Sequence, residues 1–375
     1  MLRSHRPELS FTAGHDVELL IDGGAFYPRL LQVLASAQRY IFLETYIWQS
    51  DETGWKIARA LAERAEAGVE VAVCYDGFGS DALSDDFVAF VDRARIKRLV
   101  FRPVSFLKRS WPWSRRNHRK LVVVDGTVGL VGGMNLANDY AAAEEGGGGW
   151  RDTSVCIRGP AVQELETMFR TLWASEGGPE LSSCAPIGSE LAGSMDVRFL
   201  ANFFRSERPL VRRAYLAAIV RAEERIRICN AYFFPDRILR RALVRAAQRG
   251  VQVELIVPAT SDIRPAVYAS RSLYGRFLRN GIMIYEWSRS VLHAKTAVVD
   301  GVWSTVGSSN LDPFSAFVNL EVNAIIQSEG FGQIMERQFE LDRTFCRRIE
   351  PSRWSRRPWT QRLVELFFRL VTRRY

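Results

Sequence analysis

Two short apolar runs punctuate the chain at corresponding places: Ile41-Phe42-Leu43-Glu44-Thr45-Tyr46-Ile47-Trp48 and Ile226-Arg227-Ile228-Cys229-Asn230-Ala231-Tyr232-Phe233. Both read as strands, aligned to within about one residue, and each leads into a helix. The helices end at Ala67-Gly68-Val69-Glu70-Val71 and Arg249-Gly250-Val251-Gln252-Val253, where Gly caps the C-terminus and a β-branched strand follows. A β-α-β unit followed by a further strand thus occurs twice. Its period, about half the chain, is too long for a solenoid, whose repeats run about 20 to 50 residues. The pattern predicts two duplicated α/β lobes, each a mixed β-sheet flanked by helices.

Apolar periodicity lapses between Gly177-Gly178-Pro179 and Gly193-Ser194. This divides the chain into an N-terminal lobe at 1–185, a C-terminal lobe at 186–350 and a basic tail at 351–375. In the tail Leu363, Leu366, Phe367, Leu370 and Val371 follow the stripe of an amphipathic helix, with Arg362, Arg369 and Arg373 off it. A helix from about 360 to 374 is expected on a membrane surface, with Pro358 and Trp359 at its start. Packing on the protein's own core is the competing arrangement.

The duplication carries chemistry. His118-Arg119-Lys120, four residues and Asp125 recur 175 residues later as His293-Ala294-Lys295, four residues and Asp300. Asn135, in Gly132-Gly133-Met134-Asn135, and Asn310, in Gly307-Ser308-Ser309-Asn310, each lie 17 residues past their His. The chain has five Lys among 51 basic residues, and two of them occupy the motif, so a compact ammonium is wanted there.

A neutral imidazole can attack phosphorus while a second, protonated one hands a proton to the leaving alkoxide. His118 and His293 supply that pair. Lys120 and Lys295 would hold the phosphoryl oxygens, with Asn135 and Asn310 as added donors. No metal and no cofactor is required. Each His also needs a carboxylate on its other ring nitrogen. Asp125 and Asp300 belong to the catalytic motif but lie seven residues on, more than about 20 Å along a strand. Placed before Gly126 and Gly301, they read as hairpin-turn residues with an Asx-type bond. Better orienting acids are Asp152, 34 residues after His118, and Glu321, 28 residues after His293; the first lobe's Glu144-Glu145-Gly146-Gly147-Gly148-Gly149, a flexible insertion, explains the difference.

These motifs closely resemble those of the phospholipase D superfamily over nearly the whole chain. Phe42-Leu43-Glu44-Thr45-Tyr46-Ile47, Trp150-Arg151-Asp152-Thr153, Ile157-Arg158-Gly159-Pro160 and the run from His293 to Asn323 are most similar to bacterial cardiolipin synthases of a short branch without N-terminal transmembrane helices. The resemblance implies lobes related by a pseudo-twofold axis, an active site at their interface and a phosphohistidine on one His. It makes His118 the nucleophile, and Asp152 and Glu321 the orienting acids. It further implies transfer of a phosphatidyl group from phosphatidylglycerol to a second phosphatidylglycerol, releasing glycerol.

Composition narrows the setting. With 47% hydrophobic and 25% charged residues the chain is globular, and five Cys without metal spacing read as reduced thiols. Neither a signal peptide nor an 18-residue uncharged run occurs, so a peripheral position on the cytoplasmic face of the membrane is expected. Net charge of +9 favours an anionic partner, phospholipid or nucleic acid. Trp111 and Trp113, in the basic aromatic stretch 106–116, and the tail favour anionic phospholipid. Ser308 and Glu44 complete the candidate substrate-binding set; Glu44 is matched by Asn230 in the repeat. His5 and His15 lack counterparts and read as surface groups. The competing activities are a phospholipase D-type phosphodiesterase or nuclease with water as acceptor, and a non-catalytic anionic-lipid-binding module. No feature of the sequence sets the oligomeric state.

Overall fold

The computed structural model describes residues 10–104, 115–182, 191–202 and 209–371. The expected binding residues Trp111 and Trp113, and much of the expected lobe boundary, lie outside them.

The N-terminal lobe runs β1 (Thr12–Ile21), α1 (Asp22–Ala35), β2 (Tyr40–Thr45), α2 (Glu52–Glu66), β3 (Glu70–Asp76), α3 (Asp85–Arg93), β4 (Lys97–Phe101), β5 (Leu121–Val124), β6 (Val128–Gly132), β7 (Thr153–Arg158) and α4 (Val162–Ser175). The C-terminal lobe repeats that order as β8 (Met195–Ala201), α5 (Leu210–Arg221), β9 (Arg225–Asn230), α6 (Arg237–Gln248), β10 (Gln252–Pro258), α7 (Arg264–Arg279), β11 (Met283–Trp287), β12 (Lys295–Val299) and β13 (Trp303–Gly307). It continues through the short α8 (Pro313–Phe317), β14 (Val322–Gln327) and α9 (Glu329–Thr344), then adds β15 (Cys346–Arg348), α10 (Pro351–Ser355) and α11 (Trp359–Val371).

Strand order is β1-β7-β6-β5-β2-β3-β4 in one lobe and β8-β14-β13-β12-β9-β10-β11-β15 in the other. In each, three strands joined by helical crossovers (β2, β3 and β4; β9, β10 and β11) are parallel and the motif hairpin is antiparallel, giving the mixed sheet the repeat predicts. Equivalent strands β1 and β8 pair antiparallel with each other, the arrangement a twofold relation demands, and join the two halves into one sheet. A single apolar cluster crosses that joint, from Val17, Phe42 and Val123 to Val197, Phe199, Val306 and Ile326.

Three expectations change here. His15 is fully buried at the joint, with Met195 O at 3.1 Å from Nδ1 and the Ala161 N–H donating to Nε2 at 2.9 Å. It helps tie β1 to β8 and to the start of α4. The glycine insertion is a hydrogen-bonded turn: Gly147, Gly148 and Gly149 N–H groups donate to Ala142, Asn138 and Ala141 carbonyls. Strand register also moves the repeat by one residue. Leu121 pairs with Glu44 and Lys295 with Asn230, so Glu44 corresponds to Cys229 and Thr45 to Asn230.

Candidate active site

Each motif histidine sits just before its strand, on backbone that crosses to the other lobe. The His118 N–H donates to Leu320 O at 3.0 Å and the Leu320 N–H to Arg116 O at 2.9 Å; the His293 N–H donates to Arg151 O at 2.8 Å and the Arg151 N–H to Val291 O at 2.9 Å. The residue after Leu320 is Glu321 and the residue after Arg151 is Asp152. Two short parallel bridges therefore deliver each acid to the opposite lobe's histidine.

The side chains follow. His118 Nδ1 is 3.0 Å from Glu321 Oε2, and His293 Nδ1 is 2.7 Å from Asp152 Oδ2. Each acid proposed as an orienter contacts a histidine, but the in-repeat spacing associates each with the wrong one. With both Nδ1 atoms engaged, Nε2 is left for chemistry on each ring. All four residues are buried.

The two pairs differ electrostatically. Burial raises the Glu321 carboxyl, and despite Lys120 it stands at about 8, so it is neutral at pH 7. For Asp152, burial is outweighed by His293 and Lys295, and its pKa falls below the usual carboxylate value. Both imidazoles are shifted down, by burial first and then by neighbouring lysines, His118 well below its ordinary value. His118 thus faces an uncharged acid and His293 an ionised one. The residues behind the acids differ in kind. Ser308 Oγ donates to Glu321 Oε2 at 2.5 Å, while a Cβ on the equivalent Gly133 would lie 2.2 Å from Asp152 Oδ1.

Lys120 and Lys295 donate back to the carbonyls of His118, at 2.8 Å, and of His293. Their ammonium groups lie 5.1 Å from the Tyr46 ring centroid and 5.9 Å from that of Tyr232. Burial lowers both, Lys295 to about 8. The Tyr46 ring meets His118 edge-on at 5.0 Å, and Tyr140, Trp150 and Tyr232 surround His293 at 5.3, 5.9 and 6.4 Å. The site is a buried cationic centre in an aromatic frame.

Several expected site residues do other work. Asn135 Oδ1 accepts the Ile47 N–H at 3.1 Å and its amide donates to Tyr140 Oη at 2.6 Å; Asn310 Oδ1 accepts the Tyr232 N–H at 3.2 Å. Through these bonds they hold the loops that carry the tyrosines. The Ser308 side chain is fully buried behind Glu321, and Glu44 is buried against Arg119 at 2.7 Å. Asp125 and Asp300 form the expected Asp-Gly hairpin turns, with φ of 52° and 51°. Their carboxylates reach past the turn, however: Asp125 accepts N–H groups of Gln38, Arg39 and Tyr40, and Asp300 those of Glu223, Glu224 and Arg225. The catalytic end of each strand lies at the other extremity.

Sequence reasoning missed Tyr140 and the support of Asp152. Arg151 makes a buried bidentate pair with Asp342 of α9, at 3.0 and 2.6 Å, and the Asp152 N–H donates to Asp22 Oδ1 at 2.9 Å. Arg151 stands beside Asp152 in sequence, but nothing in the primary structure points to Asp342.

The chain matches the protein family described as cardiolipin synthase, PLD-like domain, over residues 30–173 and 215–343. It is 32% identical over 360 residues to a cardiolipin synthase of Halalkalibacterium halodurans, covering 95% of this chain and 72% of that protein. Cardiolipin synthase B of Salmonella typhi is 33% identical over 358 residues, covering 92% and 85%. Among solved structures, phosphatidylserine synthase of Haemophilus influenzae Rd KW20 superposes with a TM-score of 0.72 over 97% of both chains, at 17% identity, and shares the fold.

Proposed function

Since the chain belongs to the cardiolipin synthase family, phosphatidyltransferases with a phospholipase D-like fold, we propose that it moves a phosphatidyl group from one phosphatidylglycerol to another at the cytoplasmic face of the membrane. The observation that carries this reading is the unlike pair of histidine–carboxylate contacts at one buried cationic centre.

Glu321 Oε2 accepts the Nδ1–H of His118, leaving Nε2 with a free lone pair. That nitrogen attacks phosphorus. As the bond to the glycerol oxygen breaks, His293 Nε2–H gives its proton to the departing alkoxide, and Asp152 stabilises the imidazolium before transfer. In the second half the hydroxyl of the acceptor lipid gives its proton to His293 as its oxygen attacks phosphorus, and His118 departs. Glycerol is released in the first half and cardiolipin in the second. Lys120 and Lys295 supply positive charge to the phosphoryl oxygens, and the aromatic frame limits water, which would otherwise divert the intermediate to hydrolysis.

No helix among the described residues is long and apolar enough to cross a membrane, consistent with a peripheral enzyme. Purified protein given phosphatidylglycerol vesicles should yield cardiolipin and glycerol in equal amounts, with rapid quenching trapping phosphate on His118. Phosphatidic acid as the main product would establish water as acceptor and overturn the transfer reading. Phosphate on His293 would reverse the roles.

A further inference from the structure

Among its described side chains, the C-terminal helix turns four apolar ones outward. α11 lies along α7, with the Phe368 ring stacked on Tyr268 at 5.6 Å and Glu365 buried against Arg357 at 2.8 Å. Gln361, Glu365 and Phe368 occupy the inner sector of the helix, and Gln361 Nε2 donates to Glu365 Oε1 at 3.0 Å. The opposite sector holds Trp359, Leu363, Val364 and Phe367, which are 71, 54, 40 and 61% exposed. A terminal helix stabilised by its own core would turn these positions inward; here the inner sector carries a glutamine and an ion pair beside Phe368.

Two further features point to the occupant. Arg353, Arg356 and Arg362, immediately before and beside this face, are exposed cations. The helix also leads toward the catalytic centre. Phe368 rests on the early part of α7, which starts just past Asp262; the Asp262 carboxylate accepts the hydroxyl of Tyr232 at 2.7 Å, and Tyr232 borders His293. Ile263, just before α7, is 49% exposed.

We propose that the outer face of α11 is a membrane-docking surface for anionic phospholipid, seating Leu363, Val364 and Phe367 among the acyl chains and Trp359 in the headgroup layer, with Arg353 and Arg356 meeting lipid phosphates. It deepens the lipid-transfer reading and rests on it: docking here brings the His293 side of the centre to the bilayer from which its substrates come. Leu366, Leu370 and Val371, on the stripe expected from sequence, have side chains outside the described residues.

The test uses the full chain and its partitioning onto phosphatidylglycerol vesicles, with phosphatidylcholine vesicles as the uncharged control. The double variant Leu363→Ser, Phe367→Ser should lower the partition constant at least tenfold. Arg353→Gln with Arg356→Gln should lower it on the anionic vesicles alone. Both should turn over short-chain phosphatidylglycerol, below its micelle concentration, at the unaltered rate, which also reports an intact fold. Trp359→Ser, at the most exposed position, is an independent probe and should weaken partitioning in the same direction. Unchanged partitioning of the Leu363→Ser, Phe367→Ser variant would overturn the proposal, as would an unaltered chain that is dimeric in solution and a variant that is monomeric with vesicle binding intact. Normal vesicle binding without cardiolipin formation would instead defeat the transfer reading and leave the docking surface standing.

Discussion

At the scale of single residues the centre is asymmetric although its backbone is duplicated. One histidine is backed by an acid whose pKa is lowered and the other by a glutamic acid whose pKa burial raises to about 8. An amide can replace a neutral acid as an acceptor, but it cannot stabilise an imidazolium. Asp152→Asn should therefore lower kcat about 10³- to 10⁴-fold, the scale seen when a triad carboxylate loses its charge, and Glu321→Gln only about tenfold. Equal losses in the two variants, measured on the same soluble substrate, would remove the basis for distinguishing the histidines. Lys295 has a second consequence. Burial lowers its pKa to about 8, so above that pH the free enzyme loses the ammonium that receives the phosphodiester. kcat/KM should fall as pH rises through about 8, and Glu321→Gln should retain this alkaline limb. An unchanged profile to pH 10 would show that Lys295 stays charged.

At the scale of elements, the two Asp-Gly turns fasten each motif hairpin to the strand beside it. Asp125 takes three consecutive backbone N–H groups at the start of β2, at 2.8, 2.9 and 2.9 Å, and Asp300 does the same at the start of β9. Removing such an acceptor leaves donors unpaired at an edge from which water is partly excluded. Asp125→Ala should cost about 2–4 kcal/mol in denaturant unfolding, at about 1–3 kcal/mol for a buried polar group left unsatisfied, while the folded protein keeps its turnover per mole. A large loss of turnover with an unchanged unfolding midpoint would place Asp125 in the chemistry. The positive φ of 52° at this residue adds a reason for Asp, which tolerates the left-handed region better than most residues.

At the scale of the whole molecule, the centre exists because the lobes exchange both backbone and side chains. The Arg151–Asp342 pair spans the lobes, is buried at both ends and sits beside the acid that serves His293. Asp342→Ala would leave the Arg151 guanidinium without its main counter-charge and should destabilise the protein by about 3–5 kcal/mol, the range for breaking a buried pair from one side. Replacing both partners, as Arg151→Met with Asp342→Leu, should recover much of that. Guanidinium unfolding would decide it: a loss below about 1 kcal/mol for Asp342→Ala would show that the apolar cluster at the β1–β8 joint holds the lobes together unaided.

Much of this architecture is written locally. The recurrence of His, Lys, Asp and Asn, the glycine-capped helices and the apolar strands specify two like lobes, because each signal acts over a few residues of neighbouring chain. The same holds for the hairpin role of Asp125 and Asp300, which Asp-Gly geometry dictates, and for the helix of the tail. What passes between lobes is not legible in this way. Asp152 and Glu321 are recognisable as acids near a motif, yet which histidine each serves depends on bridges at Asn117–Leu320 and Arg151–Leu292 that no linear spacing encodes. The burial of His15, the sealing of Glu44 by Arg119 and the use of Asn135 to hold a loop are likewise set by neighbours far along the chain. So is the difference between the two acids. Burial and net charge around a carboxyl are properties of the assembled interior, so only the tertiary structure decided that one acid is shifted down and the other up.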